Sequence, residues 1–298
     1  MRVVVTGATG FIGSHVTKAL SKAGHSVLAT AREPARLPAL ASLPGVRLAR
    51  LDLADRRGWA SLLTGQDALV HVALGWGESG PAMLEADTAA SVALFEACVA
   101  AGVGRVVYTS STAANGEMDP LNREDRQPRP EDYYGATKAA TEQFARAYSR
   151  RHGLKVRVIR PGYIFGEPAV EGARSQPDTR FAGLCRAIKA GQPPRVVRHD
   201  GTQFLHAQDI AQAYLALLGH ETPYTVHYAL SRDWRSWEQV AQWAIALSGK
   251  DLAVEVEDKG YGSEPWRFDV SALERDFGLA FGNEERLKAH LAWELGRD

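Results

Sequence analysis

The first fourteen residues set the limits on what this chain of 298 residues can fold into. Met1-Arg2-Val3-Val4-Val5 is a short apolar run, rich in β-branched residues and without a polar face. That is the pattern of a strand buried on both sides of a parallel sheet. It runs directly into Thr6-Gly7-Ala8-Thr9-Gly10-Phe11-Ile12-Gly13-Ser14 and a helix-period stretch from Phe11 to Ala23. In a strand–turn–helix, glycines at 7, 10 and 13 each have a task. One makes the tight turn, one lets backbone approach a pyrophosphate, and one lets the helix pack closely on the strand. The free N–H groups and positive end of the helix then face the phosphates.

Further strands are expected at Val3–Thr6, Ser26–Thr30, Val46–Arg50, Ala68–Ala73, Arg105–Ser110 and Lys155–Arg160. Between them the periodicity predicts helices at Phe11–Ala23, Arg56–Leu63, Met83–Ala101 and Tyr133–His152. This alternation is the mark of right-handed βαβ crossovers, and predicts an α/β fold with a doubly wound parallel (Rossmann) sheet. Residues 1–162 are expected to form the dinucleotide-binding domain, with about 201–230 returning to it. Residues 163–298 are expected to form mainly a smaller C-terminal substrate domain, with helices at Phe181–Ala190, Gln208–Leu218, Arg235–Ser248, Ser271–Phe277 and Glu284–Leu295 and a strand at Leu252–Val256.

Ligands of such sheets bind beyond the carboxyl ends of the strands, so the residues after each strand matter most. After the second strand, Ala31 offers no carboxylate to a ribose 2′-hydroxyl, whereas Arg32 can pair with a 2′-phosphate or stand as a solvated turn residue. After the third, Asp52-Leu53 can flank an adenine, and Asp52 can equally cap the next helix. The fourth ends in His71-Val72-Ala73, followed by Gly75-Trp76-Gly77-Glu78-Ser79-Gly80, a glycine-rich stretch read as a mobile rim. Trp76 there either contacts substrate or covers the loop. The fifth delivers the hydroxyls of Thr109, Ser110, Ser111 and Thr112. Tyr134 and Lys138 follow, four apart on one helical face. An ammonium near a phenol favours the phenolate, so Lys138 is expected to lower the Tyr134 pKa, while Ser111 holds the reacting oxygen.

With these pieces in place the chain resembles the extended short-chain dehydrogenase/reductase family, in its NAD(P)-dependent epimerase/dehydratase branch. The matching segments are TGATGFIG (6–13), LDLAD (51–55), HVA (71–73), VVYTSS (106–111), YYGATKAATE (133–142), RPGYIFGE (160–167) and FLHAQDIAQAY (204–214). The resemblance implies that Tyr134 is the catalytic acid/base, that Lys138 binds the nicotinamide ribose and tunes Tyr134, and that Ser111 polarises the reacting oxygen. It places Gly7, Gly10, Phe11, Ile12 and Gly13 at the pyrophosphate, and Pro161 to Ile164 near the nicotinamide. Arg32, Asp52, Leu53 and Ala73 complete the expected cofactor contacts.

Three departures narrow the chemistry. Dehydratases of this branch carry Asp-Glu after the catalytic hydroxyl residue; Thr112-Ala113 stand here, which speaks against elimination. Asp87 occupies a place commonly held by Asn. Thr202 stands where nucleotide-sugar enzymes carry an Arg, removing a partner for a diphosphate. Arg174, Arg180 and Arg186 are candidate contacts for an acidic substrate group, against a default of solvated surface arginines.

Bulk properties exclude other classes. Lys plus Arg, 35, equals Asp plus Glu, 35, so no charge excess points to nucleic acid or an anionic membrane. Cys98 and Cys185 form no close motif, and Cys98 reads as a buried small hydrophobe. The nine histidines show no metal-ligand spacing, and His206 reads as a packing or capping residue. With a strand read from residue 2, no signal peptide is expected, and no apolar run reaches spanning length. The expectation is a cytoplasmic homodimer using NADP, with NAD as the alternative. It would move a hydride between nicotinamide and a secondary alcohol or ketone of a sugar-like or polar small molecule. A sugar or nucleotide-sugar epimerase with tightly held NAD is the second reading. A non-catalytic NAD(P)-binding regulator is the third, and Ser111, Tyr134 and Lys138 argue against it.

Overall fold

The computed structural model describes residues 1–297. Seven strands form one sheet: β1 (Arg2–Thr6), β2 (Ser26–Ala31), β3 (Val46–Arg50), β4 (Ala68–His71), β5 (Arg105–Thr109), β6 (Lys155–Pro161) and β7 (Tyr224–Ala229). Their order is β7-β6-β5-β4-β1-β2-β3, and every neighbouring pair is parallel. All seven carboxyl ends therefore lie along one edge. Val3, Val4 and Val5 are buried completely, as a strand covered on both faces requires.

The α-helices of five or more residues are α1 (Phe11–Lys22), α2 (Trp59–Leu63), α3 (Ala90–Ala101), α4 (Tyr133–His152), α5 (Arg180–Lys189), α6 (Ala207–Gly219), α7 (Trp237–Ser248), α8 (Ser271–Phe277) and α9 (Glu284–Leu295). One apolar cluster joins Val3, Val5, Val16 and Leu20 to Ile210, Tyr214 and Leu217 of α6. On the opposite face Val4, Leu69 and Val106 pack with Leu94, Phe95 and Ala145. A third cluster, centred on Phe165, Phe181, Phe204, Trp237 and Leu291, fills the C-terminal part. Among the described residues no helix is long and apolar enough to cross a membrane.

Several elements depart from the expected bounds for local reasons. β4 stops at His71, not Ala73, because Thr6 Oγ1 accepts the N–H groups of Val72 and Ala73 at 3.1 and 3.2 Å. α2 begins at Trp59, not Arg56, because the Asp55 carboxylate takes the Arg57 N–H and Gly58 has φ +80°. α7 begins at Trp237 because the Ser236 hydroxyl accepts the Gln239 N–H at 3.1 Å. The stretch expected as one helix from Met83 to Ala101 is broken by a π turn over Leu84–Ala89, which buries Asp87 completely. Such bulges turn a side chain off the helix's ordinary face. The seventh strand, β7, was not expected. His206 caps α6 by accepting the Gln208 N–H, and Cys98 is a buried free thiol, both as read from the sequence.

Candidate active site

Gly7 turns with φ +67°, and a Cβ there would lie 2.8 Å from Ala73 N, so this glycine brings the β1 and β4 ends together. A Cβ on Gly13 would lie 2.1 Å from the Gly7 carbonyl oxygen, which is the close helix–strand packing expected of the third glycine. Gly10 has only that carbonyl oxygen near its open side, at 3.2 Å. It caps α1 without any side-chain hydrogen bond, and no acidic residue stands in the first turn. The opening N–H groups of α1, at Phe11, Ile12 and Gly13, thus lack helical acceptors and repel no anion. This cradle fits a dinucleotide pyrophosphate.

The other strand ends line the same edge. Arg32 is exposed after β2, with no side-chain hydrogen bond or ion pair among the described residues, while neighbouring Glu33 pairs with Arg36. Asp52 does not cap α2. Its Oδ1 accepts the Ala54 N–H at 3.1 Å in a local turn, and Leu53 packs half-buried beside the second apolar cluster. Pro161 ends β6, and Ile164, half-buried, pairs with Leu205.

Ser111, Tyr134 and Lys138 converge at the centre of this edge. Asp132 caps α4 by accepting the Gly135 N–H at 2.6 Å, which sets Tyr134 in the first turn. The Ser111 hydroxyl accepts the Ala113 N–H at 3.1 Å and sits against the Tyr134 phenol. Lys138 Nζ lies 5.7 Å from the centre of the Tyr134 ring and 5.4 Å from that of Tyr108. Behind it, Thr6, His71 and Ser91 form a buried hydrogen-bonded chain of 2.7 and 3.0 Å.

One expectation fails here. The Tyr134 pKa is raised, not lowered: burial is the main cause, opposed by the Ser111 hydroxyl and reinforced by Asp87 and Asp132. Lys138 is turned instead toward Asp87. The ammonium lies 3.1 Å from Asp87 Oδ2, both side chains being buried, and burial depresses the lysine's own pKa against the pull of that carboxylate. Asp87 was visible in the sequence as a departure from Asn; its capture of Lys138 was not, because a π turn leaves no trace in periodicity.

The stretch 75–80 is not a mobile rim. A Cβ on Gly75 would lie 1.8 Å from the Ala86 carbonyl oxygen, and one on Gly77 2.4 Å from the Ala82 carbonyl carbon. Gly75 presses the loop onto the π turn and Gly77 presses it onto the short helix Gly80–Met83 before it, and the Gly75 N–H reaches Asp87 Oδ1 at 3.3 Å. Trp76, 64% exposed, stands 6.4 Å from Tyr134 by ring centres and forms one wall of the site. Sequence reasoning also missed the pair Glu142–Arg160, buried below the site. Glu142 takes two guanidinium bonds of 2.9 and 2.6 Å and the Ser110 hydroxyl, tying α4 to β5 and β6. Both residues stood in quoted motifs, so their signal was present. Of the arginines considered for substrate, Arg180 is held by Asp178 and Asp200, and Arg174 and Arg186 are exposed. Thr202 pairs across a short ladder with Arg235, whose guanidinium turns to Glu284.

Fold and site together define a nicotinamide-dependent oxidoreductase. The description "NAD dependent epimerase/dehydratase family" matches residues 3–229, and the chain belongs to that family. It is 32% identical to UDP-glucose 4-epimerase of Azospirillum brasilense over 243 residues, covering 74% of this chain and 68% of that protein. It is 29% identical to 2′-dehydrokanamycin reductase of Streptomyces kanamyceticus, covering 96% and 81%. Among solved structures, MoeE5 in complex with UDP-glucuronic acid and NAD superposes with TM-score 0.81 at 28% identity, covering 98% of each chain.

Proposed function

We propose that this chain is an NADP(H)-preferring reductase or dehydrogenase acting on a ketone or secondary alcohol of a sugar-like small molecule. The convergence of Ser111, Tyr134 and Lys138 beside the glycine cradle carries this reading. Ser111 and Tyr134 hydroxyls bracket one substrate oxygen, and Tyr134 moves the proton to or from it. Lys138 holds the ribose side of the cofactor, which supplies or accepts the hydride when bound. The reductase among the relatives spans 96% of this chain, which supports carbonyl chemistry over the whole length rather than in the cofactor half alone.

Screening polyols, uronic acids, hydroxy-ketones and nucleotide sugars for NADP(H) and NAD(H) turnover tests the reading; no turnover of any carbonyl or alcohol overturns it. Arg32 carries the cofactor preference. Arg32→Ala is expected to weaken NADP(H) binding by about ten- to a hundredfold, the worth of a charge-assisted contact, and to leave NAD(H) binding unchanged. Equal affinities in the wild type would make Arg32 a turn residue only.

The epimerase reading is favoured by the likeness to UDP-glucose 4-epimerase. Against it stands Thr202, whose cross-strand neighbour Arg235 is engaged by Glu284, so no cation on that ladder is offered to a diphosphate. Calorimetric titration of UDP and dTDP into the NADP-loaded protein is expected to show no micromolar binding. Such binding, or nicotinamide retained through purification, would promote the epimerase.

A further inference from the structure

Asp87 stands at the junction of three parts of the site. Its Oδ1 lies 3.4 Å from Lys138 Nζ and accepts the Gly75 N–H of the Trp76 loop. Its Oδ2 lies 3.1 Å from the same ammonium but takes no well-directed hydrogen bond. The carboxylate is fully buried, and so is the ammonium to within 3%. A charge pair in this setting acts strongly on its neighbours because little water screens it.

Tyr134 is the neighbour that matters. Two carboxylates act on it, Asp87 from the π turn and Asp132 from the α4 cap. The phenols of Tyr108 on β5 and Tyr214 on α6 are coupled to it, and both are neutral and buried. The cation of the set is Lys138, with Glu142 one turn further along α4 and neutral His71 behind it. The one cation is therefore flanked by acids, and the acid nearest to it is Asp87.

We propose that Asp87 is a positioning residue: by holding the Lys138 ammonium it keeps that charge from the Tyr134 phenol, which carries its proton, the form that can protonate a carbonyl oxygen. The inference rests on the oxidoreductase reading above. In the step, the carbonyl carbon accepts a hydride from the reduced nicotinamide and the C=O π pair moves to oxygen. The Tyr134 O–H bond breaks and its proton ends on that oxygen. The substrate gains two electrons, the nicotinamide loses them, and the phenolate regains a proton from water. An epimerase must begin the other way, with a Tyr134 phenolate removing an alcohol proton. A phenol held neutral by nearby carboxylates is poorly suited to that first step.

The experiment reads Tyr134 directly. Ultraviolet difference titration of the wild type against Tyr134→Phe isolates the phenolate signal of this one residue, with neither substrate nor cofactor present. The same subtraction is made for Asp87→Asn against the Asp87→Asn/Tyr134→Phe double variant, with Asp87→Ala as the substitute if the asparagine protein does not fold. The Tyr134 midpoint is expected to fall by about one to three pH units when the carboxylate is removed. An unchanged midpoint overturns the proposal, because a purely structural Asp87 would leave it where it is. In a second arm, the panel of polyols, uronic acids, hydroxy-ketones and nucleotide sugars is run in both directions across a range of pH. Asp87→Asn is expected to move the pH limb of alcohol oxidation, which needs the phenolate, downward by the same shift, the ratio of kcat/KM in the two directions staying fixed by the equilibrium of the reaction. An oxidation limb that stays where it is in Asp87→Asn overturns the proposal. If no panel member turns over, the oxidoreductase reading fails, and the titration still decides the role of Asp87.

Discussion

Helix α4 carries two buried charges one turn apart, Lys138 and Glu142, and the protein treats them in opposite ways. Glu142 is saturated: Arg160 reaches it through two nitrogens, Ser110 donates to it, and Arg160 is held further by Asn115. Lys138 has a single carboxylate partner, one oxygen of which lacks a directed hydrogen bond, and the Tyr108 hydroxyl beside it has no partner. A pair with every bond made is rigid and costly to disturb. A pair with open valences can exchange partners, which is what a group that meets cofactor and substrate must do. Saturation separates the scaffold from the working site more sharply than burial does, since both pairs are equally buried.

Four experiments bear on that contrast. The largest effect belongs to the working pair's neighbour: Tyr134→Phe is expected to lower turnover by ~10²–10⁴-fold, with cofactor affinity nearly intact. Full activity in steady-state assays would remove Tyr134 from the chemistry. Next, Glu142→Ala strands the Arg160 guanidinium without a counter-charge and is expected to cost about 3–5 kcal/mol in denaturant unfolding. A loss below about 1 kcal/mol would erase the distinction between the pairs. Lys138→Met is expected to cost less, about 1–3 kcal/mol, because the pair has fewer bonds to lose, yet to damage both turnover and cofactor binding.

The fourth experiment concerns pH. His71, behind Lys138, has its pKa lowered from 6.5 to about 3 by burial and then by the ammonium. Below pH 6.5 the unfolded chain binds a proton that the folded one refuses. Stability should therefore fall as pH drops from 6.5 to 3 and lose nothing further from this group beneath that. Replacing His71 with Asn should flatten that part of the acid limb in urea melts across the range. An unchanged slope would show that the folded protein does not hold His71 neutral through that range.

The parallel sheet was legible because its strands are apolar on both faces and separated by helices of ordinary period. α4, α8 and α9 begin and end where capping and period predict, with Asp132 and Gly153 bounding α4. β7 escaped because Tyr-Thr-Val-His-Tyr-Ala is an edge strand with polar residues interleaved, and its one pairing partner, β6, lies far away in sequence. Within the site, the residues themselves could be named from spacing, since a strand end and a helix start fix where Ser111 and Tyr134 go. The charge state of Tyr134 could not. It depends on burial and on where Asp87 points, and the latter follows from the π turn over Leu84–Ala89, against which Gly75 packs. Close approach also explains why a glycine-rich stretch was misread as mobile: there glycine serves contact, not freedom.

The cover of one face of the sheet arrives late. The cluster around Val3, Val5 and Val16 is closed by Leu205, Ile210, Tyr214, Leu217, Leu218 and Ala229, all from beyond residue 200. Each fully buried aliphatic or aromatic side chain of this kind contributes roughly 1.5–3 kcal/mol. A ribosome that has released only the first two hundred residues presents a sheet with one side open to water and its last strand missing. The nascent chain thus carries a sticky surface for the time needed to synthesise about thirty more residues, a few seconds at usual elongation rates. Cutting the gene after the sixth strand should yield not a small cofactor-binding module but an aggregating half. Chaperone demand during synthesis is built into the order in which this protein's segments leave the ribosome.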